Sequence, residues 1–113
     1  MLTSNDKTPL IVFITCGTED EATHISNTLV QKNLIACGNI IPEITSIFRW
    51  EGRLNSDEEV LLIAKSRQGV LDELMDEVRE LHSYQTPEII AMPIVGGSKA
   101  YLDWVIDETT PGD

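Results

Sequence analysis

The chain has 113 residues, enough for one domain around one core, and its 42% apolar content is that of a globular protein and excludes a disordered one. Nineteen acidic against eight basic residues leave a formal charge of −11. That surface repels nucleic acid and anionic membranes and attracts cations. The elements then follow in chain order. Residues 10–16 (LIVFITC) are apolar and rich in β-branched side chains, which suits a central strand. Thr18 and Glu21 have the spacing of a capping box, and three acids in the first turn favour the helix dipole. Ala22, Ile25 and Leu29 recur at helical spacing, and Asn33 suits the left-handed position that ends such a helix.

Residues 36–50 read as a long second strand. Ile44, Ser46, Phe48 and Trp50 share one face, and Pro42 predicts a bulge. Glu51, Gly52 and Arg53 make the turn, residues 54–57 a polar connection, and residues 58–65 (EEVLLIAK) the partner strand. Ser66 is placed to cap a second helix with Val70, Leu71, Leu74, Val78 and Leu81 along one stripe. Residues 88–95 form a fourth strand, on an edge or bulged because of Pro93. Gly96 and Gly97 break the chain, Ser98 caps, and residues 100–106 make a last short helix. The domain therefore spans residues 1–113 with its core at about 10–106, and both ends, including the tail from Thr109, are expected to fray.

The βαββαβ order with right-handed crossovers gives an α+β, ferredoxin-like sandwich. It has one antiparallel sheet in the order 4-1-3-2 with two helices on one face. This topology gathers Cys16, the hairpin tip, His82, Tyr84 and Glu88 at one end of the sheet. Cys37 lies at the other end, too far from Cys16 for a disulfide. A thiolate and an imidazole are ligands for copper, zinc and similar ions. Cys16 and His82 are thus candidate metal ligands, with a third donor from Glu88, water or another subunit. The N-terminus of the first helix is also placed to lower the Cys16 pKa. The competing reading makes Cys16 an apolar filler and His82 a cap on carbonyls, and the acids Glu51, Glu58 and Glu59 a solvated group.

At about 3.3 Å per residue, residues 36–50 reach roughly 45–50 Å, well beyond the first strand. The overhang carries Ile47, Phe48 and Trp50, an apolar arm that calls for cover by other copies in a closed ring. No stretch has the roughly 18 apolar residues of a membrane helix. The short apolar run at 10–14 is no secretory core. The expected location is the cytoplasm, with both cysteines reduced.

Ala36-Cys37, Ile41-Pro42, residues 46–52 (SIFRWEG), 59–65 (EVLLIAK) and 82–88 (HSYQTPE) resemble the CutA family of divalent-cation tolerance proteins. The resemblance covers about residues 10–106. It implies a homotrimer packed through the hairpin with Phe48 and Trp50, a cytoplasmic location, and a role in tolerance to divalent metals, Cu(II) above all. Cys16 matches a cysteine linked to copper binding in bacterial relatives, and His82 matches a histidine that is a candidate ligand. Leu81 stands where some relatives have a second histidine, Ser83 where the family has proline, and Phe48 where it has tyrosine. The family is also similar in architecture to the PII signalling proteins. That likeness implies an alternative: an adaptor trimer that takes a small ligand in clefts near Trp50, Arg53, Lys65, Tyr84 and Glu88. No nucleophile–base pair at convincing spacing and no cofactor motif points to an enzyme.

Overall fold

Alternation along the first strand decides how the sheet is used. In β1 (Pro9–Cys16), Leu10, Val12, Ile14 and Cys16 are buried, while Ile11 and Phe13 are half-buried on the other face. The computed structural model, which describes residues 6–112, sets β1 between β3 (Arg53–Arg67) and β4 (Ile89–Pro93). β2 (Cys37–Trp50) lies outside β3, so the antiparallel order is β2-β3-β1-β4. The order is the expected one, and Pro93 sits on an edge strand as its missing N–H requires. Of the ends expected to fray, residues 1–5 and 113 lie outside the described residues, whereas Thr109 is fully buried.

Two helices, α1 (Glu19–Gln31) and α2 (Leu71–Leu81), cover the even-numbered face of β1. Ile25 and Leu29 of α1 and Leu74 and Val78 of α2 pack on Val12, Ile14, Leu62 and Ala64. Each such valine, leucine or isoleucine contributes about 1.5–3 kcal/mol by leaving water. α1 ends in a Schellman motif. Asn33 has φ 58°, its N–H donates to Val30 and the Leu34 N–H to Leu29, and the two leucines meet in the core. Gly38 lets α1 approach β2, because a Cβ there would run into Ser26 Oγ and Leu62 Cδ1. α3 (Lys99–Glu108) crosses the lower end of the other face. There Arg67 Nε donates to the Thr109 carbonyl at 3.1 Å, and Tyr101 Oη meets Cys37 Sγ at 3.4 Å.

Four local expectations change. The polar segment 54–57 is strand, because every residue from Arg53 to Glu59 pairs across to β2. β4 is shorter than residues 88–95, since pairing to β1 runs only from Ile89 to Pro93. Ser66 does not cap α2. It is buried and donates to the Leu34 carbonyl, and a 3-10 turn (Gln68–Val70) leads into the helix. In the capping box, Thr18 Oγ1 accepts from the Glu21 N–H, but Glu21 reaches back one residue further, to the Gly17 N–H.

Pairing with β1 ends at Val60, so residues 53–59 have β2 as their one neighbour in the sheet and the hairpin projects. Its tip is a two-residue turn with both φ values positive, Glu51 at 50° and Gly52 at 77°, the primed geometry that matches strand twist. The register slips between Ile41 and Ile44, as Pro42 predicts, with Glu43 at φ 62°. The arm stretches the domain to 47 × 26 × 22 Å. The radius of gyration, 14.8 Å, exceeds the roughly 13 Å expected for this length.

Candidate functional site

Three donors converge where β1 hands over to α1 and α2 ends. Cys16 Sγ, a Glu21 carboxylate oxygen and a His82 ring nitrogen all lie within 4.8 Å of one another. Cys16 is the last residue of β1, Glu21 stands in the first turn of α1, and His82 follows the last turn of α2. The fold thus brings Cys16 and His82 together as the topology predicts. The third member is Glu21, which the sequence reading had assigned to helix capping alone. Glu88 is not in this group. Beyond Tyr84 the chain turns to bring Ile89 opposite Ile14, and Glu88 lines a groove instead. A signal for Glu21 was present: its place one turn into the helix that follows Cys16 fixes it beside that thiol.

Each donor already has a structural role. His82 is buried; its Nε2–H donates to the Thr15 carbonyl at 2.7 Å, and its Nδ1 accepts from the Tyr84 N–H at 3.0 Å. The Tyr84 ring lies against it with centroids 4.7 Å apart. Glu21 accepts from the Gly17 N–H at 3.2 Å and the Ser83 N–H at 2.8 Å, joining the β1–α1 turn to the loop after α2. Burial alone would raise its carboxyl. Hydrogen bonds from the Ser83 side chain and from the Gly17 and Ser83 N–H groups, with attraction to His82, outweigh burial and lower it.

Cys16 is fully buried, and burial pushes its thiol up to about 12, with repulsion from Glu21 and Glu59 adding to the effect. The expectation that the α1 N-terminus lowers this pKa is therefore overturned. The N–H groups that would stabilise a thiolate are engaged, Gly17 by Glu21 and Glu21 by Thr18. Neither Glu59 nor Tyr84 is a bystander: the Tyr84 hydroxyl donates to Glu59 at 2.7 Å. Burial, and then this bond to Glu59, push the phenol well above its ordinary value.

Beside this cluster an open groove of about 760 Å³ runs along the overhang. It is lined by Phe48, Trp50, Tyr84, Asp57, Glu59 and Glu88 among others. Of the cleft residues suggested from sequence, Trp50, Tyr84 and Glu88 line it; Arg53 pairs with Trp50 on β2, and Lys65 reaches Asn39 at the lower end. Cys37 is remote, and both cysteines are free thiols.

Sheet order, helix placement and the projecting hairpin define a ferredoxin-like α+β domain whose thiol, imidazole and carboxylate meet at one sheet end. The chain belongs to the family of CutA1 divalent ion tolerance proteins, which it matches over residues 10–108. It is 42% identical over 99 residues to the divalent-cation tolerance protein CutA of Thermus thermophilus, covering 88% of this chain and 96% of that one. It is 43% identical over 100 residues to the chloroplastic CutA of Arabidopsis thaliana, covering 88% of this chain but 55% of the plant protein. Solved structures agree with the fold. The Thermus thermophilus protein aligns with TM-score 0.87 at 41% identity, covering 88% and 97% of the two chains. A protein described as the periplasmic divalent cation tolerance protein CutA of Archaeoglobus fulgidus aligns with TM-score 0.86 at 40% identity, covering 89% and 98%.

Proposed function

We propose that this protein binds divalent cations directly as its part in metal tolerance, with copper as the preferred ion and the Cys16–Glu21–His82 cluster as the binding site. The observation that carries the reading is the convergence of three donors within 4.8 Å. Sulfur and imidazole nitrogen favour copper, the tightest-bound divalent ion of its row, over magnesium or calcium. The donor types fit such an ion. Both His82 ring nitrogens are engaged, Nε2 by the Thr15 carbonyl and Nδ1 by the Tyr84 N–H, so a cation must displace one of these bonds, and Cys16 must release its proton. Uptake therefore liberates a proton and strengthens as pH rises. Calorimetric titration with Cu(II) in two buffers of different ionisation enthalpy tests this. The expected result is stoichiometric binding with proton release, lost in Cys16→Ala and weakened in Glu21→Gln. A Cys16→Ala protein that titrates like the parent sinks the assignment.

The working form we propose is a homotrimer in the cytoplasm. Self-association is supported by the apolar surface one subunit leaves in water: Ile47, Trp50 and Leu54 on the arm are 70%, 61% and 75% exposed. Ile90 and Met92 add to it on the open face of β4. Light scattering should give three chain masses, and Ile47→Lys should lower that mass. The cytoplasmic assignment follows the expectation from sequence and is checked by cell fractionation. We do not assign catalysis, because a thiol raised to about 12 is a poor nucleophile at neutral pH. A second reading, a PII-like adaptor whose metal effects are indirect, is favoured by the groove beside the cluster. Stabilisation by a small ligand in a thermal-shift screen, unaffected by Cys16→Ala, would support it.

A further inference from the structure

We infer, resting on the reading that the cluster binds divalent cations, that Tyr84 is a positioning residue that holds the site shut and is released when His82 becomes a ligand. A neutral imidazole carries one N–H and one lone pair. In His82 the N–H on Nε2 faces the Thr15 carbonyl at 2.7 Å, which only accepts, and the lone pair on Nδ1 faces the Tyr84 N–H at 3.0 Å, which only donates. These partners fix the tautomer, and both ways out of it end the Tyr84 bond. With Nδ1 as ligand, its lone pair is spent and the Tyr84 N–H loses its acceptor. With Nε2 as ligand, the ring proton moves to Nδ1 and meets the Tyr84 N–H donor against donor. Ligation by His82 therefore requires Tyr84 to let go at the backbone. The side chain of Tyr84 resists that release. Its hydroxyl donates to Glu59 on β3 at 2.7 Å, and its ring lies against His82 with centroids 4.7 Å apart. The adjacent Ser83 donates its N–H to Glu21 at 2.8 Å, so two of the three donors are tied to the same short loop. All of these bonds lie within one chain. Whatever fastens Tyr84 thus lowers metal affinity, and by reciprocity metal occupancy loosens the hold on Tyr84.

The test uses the full chain in its native assembly and two probes, Zn(II) for amide hydrogen exchange followed by NMR and Cu(II) for calorimetry. Zn(II) takes the same thiol and imidazole donors. Saturating Zn(II) should speed exchange of the Tyr84 amide about tenfold or more. The His82 amide, bonded to the Val78 carbonyl at the end of α2, should keep its protection. Tyr84→Phe retains the ring and the backbone N–H and removes only the bond to Glu59, and should tighten Cu(II) binding about three- to tenfold. A residue that merely supported the fold of the site would weaken binding when altered. Cys16→Ala should abolish both responses. Unchanged Tyr84 protection in zinc-saturated protein, or equal or weaker Cu(II) binding in Tyr84→Phe, would overturn the role of Tyr84 and leave the metal-binding reading standing. No Zn(II) or Cu(II) binding by the parent, or binding undiminished in Cys16→Ala, would overturn both.

Discussion

Cys16 shows how burial and charge compete at a single residue. It sits at a helix N-terminus, a position that favours a thiolate, yet desolvation with two nearby carboxylates wins and holds the thiol to about 12. A thiol raised from the ordinary 9.0 to about 12 carries roughly a thousandfold less thiolate at neutral pH. Iodoacetamide at neutral pH should therefore label Cys37 well before Cys16, as peptide mass spectrometry reads directly; equal rates would contradict the burial argument. Gly38 is the counterpart in packing. Gly38→Ala should destabilise the domain by about 1–3 kcal/mol, because the added methyl displaces Ser26 or Leu62. Pairing it with Ser26→Ala should recover part of that loss in urea unfolding. Cys16 and His82 were legible as partners because strand direction alone puts them at one end. Glu21 was signalled by its place in the first turn after Cys16, but that signal was masked, since a glutamate three residues after a threonine already has a sufficient explanation in capping.

At the scale of the element, the hairpin and the α1 entry carry the testable content. Glu51 occupies a left-handed conformation that costs a side chain about 1 kcal/mol and that asparagine tolerates. Glu51→Asn should thus raise stability by about 0.5–1 kcal/mol, seen as a higher urea midpoint with unchanged slope. Glu21 fastens the start of α1 to the loop after α2. Its folded pKa lies below the ordinary 4.5, so its contribution is fully present above about 4.5 and is lost as the pH falls towards the lowered value. Glu21→Gln should flatten acid unfolding in that window and leave the neutral-to-alkaline limb alone. Element types were readable from periodicity, including the Pro42 bulge and the Asn33 cap. Segment 54–57 was not, because an edge-exposed strand in water has no apolar alternation to announce it; only its cross-strand partners make it a strand.

For the whole molecule, sheet order followed from element order and handedness, since few unknotted arrangements satisfy both. How the arm is covered does not follow from one chain, because a strand pair projecting past its own core answers to surfaces outside it. The arm places Arg49 and Arg53, both exposed, on either side of the Glu51–Gly52 tip. A naked subunit offers trypsin both bonds, while the same tip sheathed by neighbours offers neither. The nicking rate at these two arginines is therefore a clock for assembly. Slow cutting in concentrated protein that accelerates on dilution reads out the moment when the copies part.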